Sequence, residues 1–463
     1  MSSRFEEVLR KADALKPLGE EGLHDEIVRV IYGQAEQLAG RVVTTAQEKN
    51  RDWDRRIDDV VTSRFFGYPL MLLLLGMVFW LTVEGANYPS AVLADLFFSF
   101  EAKLSLVFRW LNAPDWLHGV MVLGTYRCLA WVVSVMLPPM AIFFPLFTLL
   151  EDLGYLPRVA FNLDRIFKRA GAHGKQALTM AMGFGCNAAG VVSARIIQSP
   201  RERLIAVLTN NFVPCNGRFP TLIAISMIFY GVGGEASAFD GAAASAMVIG
   251  LVLTGVAVSL LVSWILSRTV LRGVPSSFVL ELPPYRRPQF LKAVTRSIFD
   301  RTLFVLSRAV IVAAPAGALT WILANTNPGG VSVIQALSGF LAPLGRAVGL
   351  DGVILLAFLL GLPANEIVLP IILMTYLSAG ALVEMDSLFT MKDLLLSHGW
   401  NWLTALNTML FSLLHFPCGT TLLTMRKETG SLRWPVFSAV MNTAIAIGVC
   451  FFIAQAARLL SLV

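Results

Sequence analysis

Long apolar runs alternate with short charged stretches over most of this chain. A helix of roughly 20 apolar residues crosses a bilayer core, and seven runs reach or approach that length. Their bounds are 65–83, 117–150, 204–230, 242–266, 305–324, 400–425 and 434–457. The run at 117–150 exceeds one straight crossing, and Pro138-Pro139 predicts a kink in it. The pattern predicts an all-α, polytopic membrane protein.

In each of two other apolar runs, the stretches before and after the run are alike in their content of Lys and Arg. Residues 176–194 lie between basic loops, whereas residues 353–377 lie between stretches poor in Lys and Arg. The flanks of the second run hold Asp351, Glu384 and Asp386. Basic loops favour the cytoplasmic side, so each run begins and ends on one side of the membrane. We predict two re-entrant hairpins, the first entering from inside and the second from outside.

The same distribution of Lys and Arg places the N-terminus inside and the C-terminus outside. Residues 1–62 are charged with helical periodicity, which predicts a cytosolic helical segment, and residues 63–463 would form a transmembrane permease domain. Two amphipathic segments, 90–111 and 331–348, are predicted on the outer surface, and the basic loop 268–308 inside.

The two halves of the membrane part have the same order of elements. Each has a crossing, an amphipathic segment, a re-entrant hairpin, a crossing broken at Pro-Cys and a final crossing. Residues 183–187 align with 361–365, and Val213–Cys215 aligns with Phe416–Cys418. We place the two repeats at about 117–267 and 301–457. Inverted repeats whose broken helices meet near the midplane are typical of secondary transporters.

The helix breaks carry the candidate chemistry. Irregular backbone at membrane depth is tolerated where it is buried in protein or lines a wet cavity. Pro214 and Pro417 each free a carbonyl group, at Asn210 and Leu413, which we expect to face such a cavity. Thiol and amide groups at such breaks suit a soft or borderline divalent cation. The predicted metal-ligating residues are Cys186, Asn187, Cys215, Asn216, Asn365, Glu366, His415 and Cys418.

Other interpretations stay open for these residues. Free cysteines are often small buried hydrophobes, which suffices for Cys128 and Cys450 in uninterrupted runs. Glu366 is an intramembrane carboxylate and hence a functional candidate, or else a helix cap or the ion-pair partner of Arg218. The three asparagines are either ligands or caps of half-helices. His415 is either a ligand or a hydrogen-bonded core histidine.

Composition excludes several classes of function. The chain of 463 residues is 56% hydrophobic and 15% charged, against about 45–50% and 25% in soluble domains. The net charge of +6 comes from basic loops between apolar runs, so nucleic-acid binding is not expected. Five cysteines, an odd number, all lie in or beside apolar segments, which predicts free thiols. The sequence has no phosphate-binding loop of the G-x-x-x-x-G-K-[ST] type, no H-E-x-x-H and no G-x-S-x-G, so an enzyme is not predicted.

Several short motifs resemble the ferrous iron transport protein B family. They are Leu150–Tyr155, Gly183–Asn187, Ser199–Leu204, Pro214–Cys215, Glu281–Arg286 and His415–Cys418. Together they are highly specific and extend from about residue 60 to the C-terminus. The usual family pattern has Val-Pro where this chain has Ala188-Ala189, Lys where it has Asn365, and a small residue and Ala where it has Asn216-Gly217. These departures are typical of a subgroup.

The resemblance implies ferrous iron import across a bacterial cytoplasmic membrane, with Fe(II) as the transported substrate and no other cofactor. It also implies two gate-type repeats like those of nucleoside transporters. Family members usually begin with a GTP-binding domain and a helical domain, and residues 1–62 resemble only the end of the latter. We therefore expect any GTPase to be a separate or missing domain. Membrane lipid is an expected partner; small accessory iron-transport proteins and a homo-oligomer stay open.

Two rival functions stay open beside a metal permease. One is an organic-solute carrier of the nucleoside-gate type, and the other is a regulatory or scaffold subunit without transport. Cysteines at the helix breaks favour the metal permease, since a nucleoside site would favour Gln, Asn, Glu and aromatic side chains.

Overall fold

The described part of the chain is built from helices. A computed structural model describes residues 19–42, 50–63, 65–230, 238–273, 285, 289–383 and 388–461. Over these ranges the chain forms α-, 3₁₀- and π-helices and no strand. The prediction of an all-α protein is confirmed.

The predicted cytosolic segment contains two helices. They are α1 (Gly19–Val42) and α2 (Asn50–Val61). Residues 1–18 and 43–49 of that segment lie outside the described residues. Helix α1 is amphipathic, and nearly all of its described side chains are exposed. Helix α2 contacts the rest of the protein through Asp58, which accepts a hydrogen bond from Arg158.

One long helix replaces two predicted segments. Helix α3 (Gly67–Trp110) has 44 residues, about 66 Å at 1.5 Å per residue, so the separate amphipathic segment predicted at 90–111 is wrong. Asp95, Lys103 and Arg109, which suggested a surface segment, are exposed on this helix. Glu101 is buried and its carboxylate accepts from Arg127 at 2.6 Å. Of the four charged residues, Glu101 therefore marks a contact between helices.

Helix α4 (Asp115–Asp152) packs along α3. It includes a π-helical stretch, Gly119–Tyr126, and continues through Pro138, Pro139 and Pro145. Glu151 and Asp152 end it and are exposed.

The first predicted hairpin and broken crossing are present as pairs of short helices. Helix α5 (Tyr155–Arg169) precedes α6 (Gln176–Gly185) and α7 (Asn187–Ser193), which meet at Cys186. The broken crossing consists of α8 (Pro200–Thr209), a 3₁₀ turn (Asn210–Phe212) and α9 (Phe219–Tyr230). The long helix α10 (Ala238–Arg268) follows.

The second half has a similar order of elements, with an additional helix between its hairpin and its broken crossing. Its helices are α11 (Phe290–Ser297), α12 (Leu303–Asn325), α13 (Val333–Ala347), α14 (Gly352–Leu360), α15 (Val368–Tyr376), α16 (Leu388–Ser397), α17 (Trp402–Leu414), α18 (Gly419–Thr429) and α19 (Arg433–Leu459). A 3₁₀ turn, Asn365–Ile367, joins the second hairpin break to α15. The prediction that α17 and α18 are parted at Pro417-Cys418 is confirmed.

Six helices among the described residues are long and apolar enough to span a membrane, or seven if α13 and α14, bent by 112°, count as one span. The six coincide with six of the seven predicted crossings. The seventh, 204–230, is divided between α8 and α9, which are too short to span alone. The largest apolar core lies between α4, α9, α14, α15 and α17.

The two hairpin tips have nearly the same backbone conformation. Cys186 has φ −155° and ψ 126°, and Ala364, its aligned counterpart, has φ −151° and ψ 121°. Each tip also receives a backbone hydrogen bond from the neighbouring broken crossing: Asn216 N–H donates to Gly185 O at 3.3 Å, and Gly419 N–H donates to Leu362 O at 2.7 Å. This likeness supports the aligned repeats, while their inverted orientation stays a prediction.

Several predictions fall on residues that are not described. An outer turn is predicted from the sequence at 231–240; residues 231–237 of it lie outside the described residues, and 238–240 begin α10. The flanking carboxylates Glu384 and Asp386, and residues 274–284 and 286–288 of the basic loop, also lie outside the described residues. Of the motif Glu281–Arg286, only Tyr285 is described.

Candidate functional site

The four helix breaks meet at one small enclosed cavity of about 20 Å³. Six of the eight predicted ligands line it: Cys186, Asn187, Cys215, Asn365, Glu366 and Cys418. A space of this volume holds about one water molecule. The structure therefore brings the three break-site cysteines, two amides and a carboxylate to a space of ionic size.

The ends of helices at this cavity favour negative charge on its side chains. Cys418 is the residue before the first turn of α18, and Glu366 lies in the 3₁₀ turn that leads into α15. The first N–H groups of a helix have no partner within it and carry a partial positive charge. This partial charge favours a thiolate or carboxylate there and offsets part of the cost of burying the charge, and such anions bind a divalent cation.

Glu366 reaches across from the second hairpin to the first broken crossing. A Cβ atom added to Gly217 would lie 2.1 Å from Glu366 Oε1, so the carboxylate rests against the bare backbone of that glycine. Only a residue without a side chain allows this approach. The contact joins the two repeats directly at the cavity.

Arg218 does not form the ion pair with Glu366 that the sequence suggested as an alternative. No ion pair between them occurs among the described residues. Its fully buried guanidinium instead donates to Asn211 O at 2.7 Å and to Leu413 O at 2.9 Å. It also lies within 3.4 Å of His415 O and Phe416 O.

These bonds correct the prediction that the carbonyl groups freed by the prolines face a cavity. Leu413 O, four residues before Pro417, is taken up by Arg218, and Asn210 O accepts from Val213 N–H at 3.3 Å. A buried carbonyl group without a partner is costly. Arg218, in the first half of the chain, supplies the hydrogen bond to Leu413 O in the second half.

An asparagine network lies behind the cysteines. Asn210 Nδ2 donates to Asn187 O at 3.2 Å, and Asn211 Nδ2 donates to His415 O at 2.7 Å. Asn187 makes no side-chain cap of α7, but in the amide orientation that satisfies its neighbours its Nδ2 donates to Gly183 O in the last turn of α6 at 3.3 Å, so the cap alternative stays open for it. Asn365 Oδ1 is buried without a hydrogen-bond partner among the described residues, and it lines the cavity. An unpaired amide oxygen there is available to a cation.

Two predicted ligands lie elsewhere. Asn216 lines a separate apolar cavity on the other side of Gly185. His415 is stacked among aromatic rings, 4.8 Å from the Phe358 ring, and its Nδ1 faces Phe411 O and Ser412 O at 2.9 Å. Those carbonyl oxygens assign the proton to Nδ1. Nδ1 of His415 is thus hydrogen-bonded as in a core histidine, whereas its Nε2 is buried without a partner among the described residues, so both alternatives stay open.

The other two cysteines differ from those at the breaks. All five are free, as predicted. Cys128 and Cys450 are fully buried within continuous helices, and their thiols lie 3.5 Å from Ala313 O and Asn407 O respectively. They are packing residues.

Sequence reasoning missed two thioether groups at the cavity. Met136 and Met140 line it from α4, and sulfur ligands prefer transition metals. Their spacing of four residues, on one face of a helix beside Pro138-Pro139, was the available signal. Among the described residues, no three His, Cys, Asp or Glu side chains are arranged to hold one metal ion together. The cavity therefore offers donors that are close but not gathered into a closed cage.

A second, separate cavity lies along three of the helices that line the first. It has a volume of about 320 Å³ and lies between α7, α12 and α18. Ala309 and Val305, one turn apart on α12, line the first and second cavities respectively. Thr420 and Glu428 do the same on α18, about 12 Å apart along the helix. We call this second space the inner vestibule.

An ion pair stands at the inner vestibule. Arg195 Nε and Nη2 donate to the two carboxylate oxygens of Glu428 at 2.7 Å each. Arg195 follows the first hairpin and Glu428 belongs to the second broken crossing, so the pair connects the two halves.

Family models match three stretches of the chain. A gate model described as nucleoside recognition matches residues 133–229 and 306–432, which contain both hairpins and both broken crossings. A model of the ferrous iron transport protein B C terminus matches residues 248–301. No solved structure matches the chain.

Curated relatives match nearly the whole chain. A Fe(2+) transporter FeoB from Staphylococcus aureus strain COL is 27% identical over 472 residues, covering 98% of this chain and 67% of the relative. A Fe(2+) transporter FeoB from Methanocaldococcus jannaschii is 26% identical, covering 94% and 62%. A Fe(2+) transport protein A/Fe(2+) transporter FeoB fusion protein from Porphyromonas gingivalis is 26% identical, covering 86% and 51%. The chain thus spans about two thirds or less of the length of these relatives.

Proposed function

The chain belongs to the ferrous iron transport protein B family, and we propose that it is a membrane permease that imports Fe(II) across a bacterial cytoplasmic membrane. The observation that carries the proposal is the cavity of ionic size lined by Cys186, Cys215 and Cys418 with Glu366. Thiolates favour transition metals over Mg(II) and Ca(II), so these residues supply a selectivity that carbonyl oxygens alone would not.

Loose coordination suits transport. An ion that must leave again needs weak, exchangeable ligands, so we expect two or three of these donors to bind at a time. A metal-bound thiol loses its proton, and the bound cation offsets the cost of burying the Glu366 carboxylate. The absence of a preassembled three-residue site among the described residues is compatible with such exchange.

The route continues into the inner vestibule. The two cavities share α7, α12 and α18 as walls, so a small movement of these helices would join them. The basic loops support a cytoplasmic position for this end, and we propose that the N-terminus is cytoplasmic as well. The ion would then leave past Arg195 and Glu428.

A nucleoside carrier is the second candidate, favoured by the nucleoside-recognition gate model that matches both halves. The central cavity argues against it. Small organic ligands occupy pockets of about 300–1,000 Å³, whereas the space between the breaks is about 20 Å³.

A small accessory protein is a proposed partner. One relative carries a Fe(2+) transport protein A in the same chain as its transporter. We propose that a protein of that kind acts with this chain.

Uptake into proteoliposomes tests the proposal. Vesicles containing the purified chain should accumulate Fe(II) under reducing conditions, faster than empty vesicles and faster than vesicles with Cys215→Ser. A labelled nucleoside added in parallel should not accumulate. Nucleoside uptake without metal uptake would overturn the proposal.

A further inference from the structure

A large apolar cavity opens sideways from the protein next to the cysteine-lined cavity. Its volume is about 560 Å³, and α3, α4, α6, α9 and α10 line it. Leu72 and Trp80 of α3 and Ile249 and Leu253 of α10 form its rim and are 60–66% exposed. Since α3 and α10 are candidate membrane spans, this lateral cavity faces the hydrocarbon of the bilayer.

We propose that the lateral cavity binds the acyl chain of a membrane lipid, and that the chain's end lies against the wall shared with the cysteine-lined cavity. An apolar space of this size, open to a bilayer, is filled by hydrocarbon, since water there would find few polar partners. The volume lies within the range of small-ligand sites, about 300–1,000 Å³.

The shared wall is the reason to expect an effect on transport. Met140 and Gly185 line both cavities. A Cβ atom on Gly185 would lie 2.3 Å from the Phe143 ring, so the backbone next to Cys186 packs directly against the floor of the lateral cavity. Hydrocarbon in the cavity therefore supports the tip of the first hairpin. This second step rests on the proposed metal transport, whereas lipid binding does not.

Two glycines provide a matched pair of variants. Gly76 lines the lateral cavity, and a Cβ atom there would meet nothing within 4 Å. Gly250 on α10 has equally open surroundings but does not line the cavity. Gly76→Leu therefore places a side chain where the acyl chain would lie, and Gly250→Leu adds the same apolar volume beside it.

Photolabelling tests the binding. The full chain is reconstituted in phosphatidylethanolamine and phosphatidylglycerol vesicles that contain a trace of a phospholipid with a diazirine at the end of one acyl chain. After illumination, we expect labelled peptides from α6 and α9, and labelling there several-fold lower in Gly76→Leu but unchanged in Gly250→Leu. Labelling that is equal in all three proteins, or found only on the rim residues, would overturn the proposal. Cross-links between copies of the chain at this face would assign the cavity to a protein contact instead and equally overturn it.

A second pair keeps the test valid if Gly76→Leu fails to fold. Leu253→Trp fills the rim of the cavity, while Leu261→Trp alters an exposed leucine of the same helix away from it. Fe(II) uptake is measured on the same vesicles. Reduced labelling together with reduced uptake supports both steps. Reduced labelling with unchanged uptake overturns the coupling through the shared wall. If vesicles with the wild-type chain take up no Fe(II), the proposed function is overturned, whereas the conclusion on lipid binding is unaffected.

Discussion

Three cysteines differ from the other two in the backbone around them. Cys186, Cys215 and Cys418 sit where a helix ends and another begins, whereas Cys128 and Cys450 sit inside continuous helices. The distinction follows from neighbouring Gly and Pro, so the sequence predicts it. Irregular backbone at membrane depth occurs where it is buried in protein or lines a cavity, and here the breaks line the cysteine-lined cavity.

Serine replacements separate the two groups. We expect Cys186→Ser and Cys215→Ser to lower Fe(II) uptake about tenfold or more, the size of effect seen when a metal's immediate surroundings lose one partner. Cys418→Ser should lower it less, since this thiol already shares a contact with Thr421 Oγ1 at 3.2 Å. Initial uptake rates in proteoliposomes measure this.

Cys128→Ser and Cys450→Ser are the controls. Both should transport as the wild type does, because their thiols lie against carbonyl groups of neighbouring helices and do not line the cavity. If all five variants behave alike, the break-site cysteines are packing residues and the proposed site is wrong.

Arg218 shows where residue-level prediction ended. A buried arginine beside a break suggested a carboxylate partner, yet its guanidinium donates to Asn211 O in its own break and to carbonyl groups 195–198 residues away in the other. Backbone acceptors leave no mark on a sequence, since every residue has one. Only the tertiary arrangement shows that one guanidinium group donates hydrogen bonds to carbonyl groups of both breaks.

At the scale of elements, the breaks themselves were predictable and the lengths of helices were not. Gly361–Pro363, Pro214 and Pro417 indicate interruptions by local sterics, and the structure has each of them. The sequence did not predict that α3 continues past residue 83, because a charged residue such as Glu101 suggests a surface position. Its partner Arg127 lies on the next helix, and only the structure shows that the two form an ion pair.

The contact between the second hairpin and the first broken crossing is testable at Gly217. In Gly217→Ala the new methyl group would overlap Glu366 Oε1, and relief of such overpacking costs about 1–3 kcal/mol. We expect the Glu366 carboxylate to be displaced. The uptake rate should then depend less on the Fe(II) concentration, and the midpoint temperature of thermal unfolding should be lower. Uptake is measured across a range of Fe(II) concentrations.

Gly448→Ala is the matched control. A Cβ atom at Gly448 meets nothing within 4 Å, so this variant should transport like the wild type. Wild-type behaviour of Gly217→Ala as well would show that Glu366 does not need its present position.

At the scale of the whole molecule, one polar cluster ties the N-terminal segment to the membrane part. Arg158, 1% exposed, bonds both carboxylate oxygens of Asp58 in α2, at 2.9 and 3.2 Å. Tyr285 donates its hydroxyl proton to Asp58 at 2.8 Å, and its ring lies 4.0 Å from the guanidinium. Three distant parts of the chain thus meet in one cluster, which no local pattern predicted.

The charges in this cluster predict a pH window for its stability. Burial acts to raise the pKa of Asp58, but the bonds from Arg158 and Tyr285 outweigh it and hold the pKa below its ordinary value of 3.8. Burial and the bond to Asp58 raise the pKa of Tyr285 from 10.0 to about 12. The Asp58 contribution is therefore present above the ordinary carboxyl pKa and lost as pH falls through the lowered one. The Tyr285 contribution is present below pH 10 and lost as pH rises toward 12.

Thermal unfolding of Asp58→Asn checks this window. The variant leaves the buried Arg158 without its carboxylate, which costs about 3 kcal/mol. We expect its midpoint to lie below that of the wild type by a constant amount between about pH 5 and pH 9, and the gap to narrow below about pH 4. Asp59→Asn, at the exposed neighbouring position, should match the wild type throughout. A gap as wide in acid as at neutral pH would refute the role of the Asp58 charge.

The ion pair at the inner vestibule gives a prediction about release. An exiting cation meets Arg195 and Lys427 against the single carboxylate of Glu428, so the two members of the pair act in opposite directions. Arg195→Gln removes a repelling charge and the tie between the halves, and should raise the initial Fe(II) uptake rate. Glu428→Gln leaves the basic groups unopposed and should lower it. Exposed pairs are worth about 0.2–1 kcal/mol, so each change should be at most about fivefold.

A charge swap decides whether the pair itself matters. Arg195→Glu combined with Glu428→Arg restores the contact between the halves and leaves the net charge of the vestibule unchanged, so its uptake should return toward the wild-type rate. Arg29→Gln breaks an exposed ion pair in α1, far along the chain from the vestibule, and should have no effect. High salt should shrink the differences, since exposed charges are screened within about 10 Å at 0.1 M. If both single variants transport like the wild type at low salt, ions do not leave past this pair, and the inner vestibule is not the exit.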